Sequence, residues 1–117
     1  MFTLCEHYMR DYLTDFELMI LLAILRLDDD AYGVPIAREI ETTGGRSVVL
    51  ATVYAALDRL EDNGLVASSI GDPTPERGGR AKRYFRVTPA GLRAVRQTQR
   101  ALTNLWAGLP QLERGRT

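Results

Sequence analysis

The apolar residues of this chain change period twice. They recur every three or four positions up to Asn63-Gly64, alternate from Leu65 to Val87, and return to a three-and-four spacing after Thr88-Pro89. A helical period cannot settle as a strand, nor an alternating one as a helix, so the element order is constrained before any composition is considered. Phe2, Cys5, Tyr8, Met9, Tyr12 and Phe16 predict an amphipathic N-terminal helix or arm. Thr14 or Asp15 can cap a second helix, Phe16 to Leu27, apolar on nearly every face. Asp28-Asp29-Asp30 predicts a turn. Tyr32-Gly33-Val34-Pro35 then opens a short helix that closes at Thr42-Thr43-Gly44-Gly45. Val49, Val53, Ala56, Leu57 and Leu60 mark a third helix, with Asp58, Arg59, Glu61 and Asp62 on its other side. Leu65 to Ile70 and Ala81 to Val87 read as a β-hairpin around a Gly- and Pro-rich turn. Thr88-Pro89 is a cap followed by a first-turn proline and predicts a last helix running to about Leu109.

This order is that of a winged helix-turn-helix: mainly α with a small β-hairpin, plus terminal dimerisation helices. The domain organisation follows as residues 1–14 for the N-terminal arm, 15–88 for the winged domain, and 89–117 for the C-terminal helix and tail.

Charge points to a polyanionic partner. The net charge is zero, yet residues 1–58 carry four Arg against ten Asp and Glu, while residues 59–117 carry eleven Arg and Lys against five acids. Between Arg77 and Arg100 lie eight basic residues and no acid. No apolar anchor accompanies them, which favours nucleic acid over membrane. The longest apolar run, Leu18 to Leu25, is far shorter than a bilayer span, and the N-terminus does not read as a signal peptide, so the expected location is the cytoplasm. One cysteine and one histidine supply neither a disulfide nor a four-ligand metal site. Cys5 and His7 also lack a positioned third group, which argues against an enzyme. No cofactor is expected.

The candidate DNA-reading residues are Ala51, Thr52, Tyr54, Ala55 and Arg59 on the third helix. Small side chains let a helix approach base edges, and an arginine reaches guanine or phosphate. Arg77, Gly79, Arg80, Lys82 and Arg83 on the hairpin would hold the phosphates. Each helix residue could equally be the solvated side of a packed helix, and a basic turn could simply discourage edge aggregation. On the last helix Leu92, Val95, Gln99, Leu102, Trp106 and Leu109 fall on a and d heptad positions. With Phe2, Tyr8, Tyr12 and Phe16 they form the candidate dimer interface. A two-fold dimer would set two recognition helices about 34 Å or a multiple of it apart and predicts a pseudo-palindromic duplex operator. A winged-helix protein–protein adaptor without DNA contact is the alternative, since fold alone does not decide function.

Three segments in this order, Ala31 to Ile40, Ala51 to Val66 and Gly79 to Gly91, resemble the PadR family of bacterial transcriptional regulators, in the subgroup with one short C-terminal helix. The resemblance implies a homodimeric repressor released by a small effector. It places Thr52, Tyr54 and Arg59 on the recognition helix and Gly79, Arg80 and Lys82 on the wing. Val49 stands where such regulators commonly carry a polar cap. Some members of the family stack flat aromatic ligands on a tryptophan of the last helix. Leu102 and Trp106 are accordingly the candidate site for a small hydrophobic or aromatic effector, with plain filling of the dimer seam as the other reading of Trp106.

Overall fold

Thr14 starts the first described helix by exchanging two hydrogen bonds with Glu17. The Glu17 backbone N–H donates to Thr14 Oγ1 at 3.2 Å, and the Thr14 N–H donates to Glu17 Oε1 at 2.9 Å. In the computed structural model, which describes residues 13–71 and 81–113, this helix is α1, Asp15–Leu27. Asp28, at a left-handed φ of 54°, ends it and leads into a single 3₁₀ turn over Asp28–Asp30. Then follow α2 (Gly33–Thr42), α3 (Leu50–Asp62), β1 (Val66–Ile70), β2 (Arg83–Val87), α4 (Pro89–Trp106) and the short α5 (Pro110–Glu113).

The three helices before the hairpin meet over a shared core. Ile20, Leu21 and Ile24 from α1, Ile36 and Ile40 from α2, and Val53, Leu57 and Leu60 from α3 are all buried. Their spacing along each helix places them on one stripe, and the stripes converge. Val66 and Phe85 close the core from the sheet. The hairpin is antiparallel, from Val66 opposite Val87 to Ile70 opposite Arg83, so Val66, Ser68, Phe85 and Val87 share the face toward α3. The second edge of β2 is occupied as well. The Phe85 N–H donates to the Ala31 carbonyl at 2.8 Å, and Tyr32 bridges Tyr84. The two tyrosine rings meet edge to face at 5.4 Å. The turn before α2 thus serves as a third, minimal strand.

Thr88 joins sheet to α4. Its Oγ1 accepts from the Gly91 N–H at 3.1 Å and donates to the Gly64 carbonyl at 2.6 Å. Gly91 lies so close to β1 that a β-carbon there would come within 2.2 Å of the Leu65 carbonyl oxygen. One turn on, Ala94, Val95 and Thr98 are buried, and Thr98 Oγ1 accepts from the Leu13 N–H at 3.1 Å.

Several expectations need correction. The last long helix stops at Trp106, because Gly108 turns the chain at φ 76° and Pro110 begins α5. Leu109 is therefore off the helix, and the heptad assumed to reach it is broken. Val95 packs into its own chain's core and is not free for a partner. The two strands end where predicted but start one and two residues later, at Val66 and Arg83; at the first, the Leu65 N–H is spent on the Leu60 carbonyl at the exit of α3. α1 is not covered on all sides either, for Leu22 and Leu25 are exposed. Among the described residues no helix is long and apolar enough to cross a membrane.

Candidate nucleic-acid interface

α3 divides cleanly between support and display. Val53, Ala56, Leu57 and Leu60 are buried, which leaves Ala51, Thr52, Ala55, Asp58, Arg59 and Asp62 exposed on the opposite side. Four of the five α3 candidates, Ala51, Thr52, Ala55 and Arg59, lie together on that face. Tyr54 sits on its flank, half-buried on the first turn of α2, where a β-carbon on Gly33 would lie 2.2 Å from the tyrosine hydroxyl oxygen. Val49 occupies the N-cap in extended conformation with no side-chain cap bond, and is 67% exposed.

The polar side chains around this helix are mostly engaged by other groups of the domain, although Arg46 and Ser47 stay exposed. Ahead of it, Arg46 stacks over the Phe16 ring at 4.9 Å and pairs with Asp15 at 3.4 Å. Ser47 donates to Glu41 Oε2 at 3.2 Å. Behind it, Arg83 of β2 reaches back to α3. Its Nη1 lies 3.2 Å from Asp58 Oδ1 and its Nη2 2.5 Å from Glu61 Oε1, while its guanidinium carbon lies 4.8 Å from the Phe85 ring centroid. Glu61 also accepts from the Ser68 hydroxyl at 2.7 Å. That hydroxyl bond, followed by the Arg83 contact, holds the Glu61 carboxyl below its ordinary range against the opposing effect of burial. Arg83, read from sequence as a phosphate ligand, is thus engaged inside the domain.

Lys82 stays at the base of the wing, its Nζ 4.5 Å from the centre of the Tyr32 ring. Arg86 is exposed on the other face of the hairpin. Arg77, Gly79 and Arg80 lie outside the described residues.

A second surface joins α1 to α4. Leu22 and Leu25 on one side and Leu102, Leu105 and Trp106 on the other are all exposed, Leu105 to 74%. Between the helices a hollow of about 680 Å³ is lined by Leu18, Met19, Leu22, Ala101, Leu102 and Leu105 among others. A neighbouring hollow of about 430 Å³ includes Leu18, Gln99, Leu102 and Trp106. Of the candidate dimer residues, Gln99, Leu102 and Trp106 are on this side of α4. Leu92 and Phe16 are half-buried, and Phe2, Tyr8 and Tyr12 lie outside the described residues. Sequence reasoning missed Leu105, which a 3.6-residue stripe through Leu102 would have found where a strict heptad did not. It also missed Asp58, Glu61 and Ser68 as partners of Arg83, a contact between elements that no local spacing announces.

Residues 21–97 match the model of the transcriptional regulator PadR-like family. The chain is 38% identical over 80 residues to the transcriptional regulator Rv3488 of Mycobacterium tuberculosis, which spans 67% of this chain and 68% of that protein. Its fold is similar to that of a PadR family transcriptional regulator from Eggerthella lenta (27% identity, TM-score 0.64, 82% of this chain and 81% of that one). It is equally similar to a transcriptional regulator from Clostridium thermocellum (26% identity, TM-score 0.64, 76% and 81%). These matches are to regulators, not enzymes. With its three-helix core, its hairpin and a family match running from α1 into α4, the chain belongs to the PadR-like family of transcriptional regulators.

Proposed function

We propose that the protein is a homodimeric repressor that binds a pseudo-palindromic site on double-stranded DNA in the cytoplasm and leaves it when a small hydrophobic or aromatic effector binds. The observation that carries this reading is the exposed face of α3, where Ala51, Thr52, Ala55 and Arg59 lie together; the sequence between β1 and β2 adds Arg77 and Arg80. A convex helix with small side chains fits a major groove, and cations on a flanking wing fit the phosphates. Residues 15–88 form the reading domain in this proposal, while residues 1–14 and 89–117 bring two copies together. The apolar surface shared by α1 and α4 supports pairing, because a leucine- and tryptophan-rich patch left in water is unfavourable. The hollow that includes Leu102 and Trp106 suits an apolar effector, whose binding would alter how the two copies sit.

Gel-shift titration of the region upstream of the gene, against a random duplex, tests the proposal across a salt series. Retention of the upstream duplex over the random one, with affinity falling steeply as salt rises, is the expected result. A protein that retains neither at low salt would instead be an adaptor.

A further inference from the structure

The leading half of α3 carries an unusual restriction. From Val49 to Leu57 the chain contains no charged and no amide side chain. The side chains that read guanine and adenine in the major groove, Arg or Lys and Asn or Gln, are thus missing from its first two turns. Nearby groups do not replace them. Arg46 is held by Asp15 and Phe16, Ser47 by Glu41, and Asp58 by Arg83, while Tyr54 sits on the flank against Gly33. What this end presents to solvent is mostly aliphatic: Val49, part of Leu50, and the side chains of Ala51 and Ala55, with Thr52 adding a methyl beside its hydroxyl. Val49 takes the N-cap position, where Ser or Asp would hydrogen-bond the first turn, and leaves its branched side chain in water. Among the described residues nothing covers it.

The major groove offers one apolar feature that differs between bases, the 5-methyl group of thymine. We propose that this end of α3 selects its site by thymine methyls, with Val49, Thr52 and Ala55 as the residues that contact them. Arg59, exposed and without an ion-pair partner among the described residues, supplies hydrogen bonding only toward the far end of the helix. The inference rests on the duplex-binding reading above and goes further, since it names the chemistry by which one sequence is preferred.

The test uses duplexes enriched from a random pool by the full-length protein. Each thymine of the enriched half-site is replaced in turn by deoxyuridine, which pairs identically and lacks only the methyl. Binding is expected to weaken about fourfold for each contacted thymine, the value of one buried carbon, and to be unchanged for thymines outside the half-sites. Val49→Ser and Thr52→Ser alter exposed side chains, and Thr52→Ser keeps the hydroxyl. Each should bind the thymine and uracil duplexes equally at its own position. If uracil duplexes bind as tightly as thymine duplexes while the enriched site still outcompetes random DNA, the methyl reading is overturned and duplex binding stands. A Val49→Ser variant that changes only the oligomeric state overturns it too. If no sequence is enriched at all, both readings fall.

Discussion

Arg83 on β2 donates to Glu61 on α3 at 2.5 Å, and its other terminal nitrogen lies 3.2 Å from Asp58 one turn earlier on the same helix. A single side chain therefore spans wing and helix, contacts two carboxylates on α3 and offsets half of their charge. Without it, the helix proposed to approach phosphates would carry a further unit of uncompensated negative charge.

Replacing Arg83 by Met should consequently weaken duplex binding about three- to tenfold at low salt through exposed negative charge. Folding stability should change by no more than about 1 kcal/mol, since the pair is partly solvated. Arg83→Lys should restore part of the affinity by pairing with one acid at a time. Fluorescence anisotropy with a labelled duplex, beside a thermal melt, separates the two effects.

Glu61 makes stability depend on pH. The Ser68 hydroxyl and then Arg83 lower its folded-state pKa from the ordinary 4.5, so the carboxylate favours the folded state above that value. The contribution is lost as pH falls through the lowered folded-state pKa. Denaturant titrations from pH 7 to pH 3 should show Glu61→Gln less stable than the parent at neutral pH. The gap should shrink on acidification below pH 4.5, and a constant gap would contradict this assignment.

Gly91→Ala should cost about 1–3 kcal/mol. The added β-carbon would meet the backbone carbonyl oxygen of Leu65 at 2.2 Å, which no rotamer change relieves. A lowered urea midpoint with unchanged slope is the expected signature.

Leu105→Glu tests the proposed pairing surface. The side chain is 74% exposed in the single chain, so the fold should survive. A charge placed in an apolar seam would weaken association by about tenfold or more. Sedimentation equilibrium should show a shift toward monomer, with an unaltered circular dichroism spectrum.

Much of the architecture can be read from local chemistry. Thr14 and Thr88 announce their helices by cap positions, and the spacing of Val53, Leu57 and Leu60 announces the buried side of α3. Contacts between distant elements are not legible in this way. Arg83 looks like one more cation in a basic run until the hairpin brings it over Asp58 and Glu61. Ala31 and Tyr32 look like a loop until they complete the edge of β2. Val95 belongs to an apolar series whose first turn lies on its own core, a fact set by how α4 leaves the sheet. Gly108 and Pro110 do lie in the sequence, but a regular apolar repeat running through them masks the break they impose.

On α3, the side chains that display and those that support are different sets. Val49, Thr52 and Ala55 bear no structural burden that a polar replacement would remove, whereas Leu57 and Leu60 bear it entirely. If α3 reads DNA as proposed, preference for one promoter over another could drift in such a lineage by single exposed substitutions, with no repair needed beneath them.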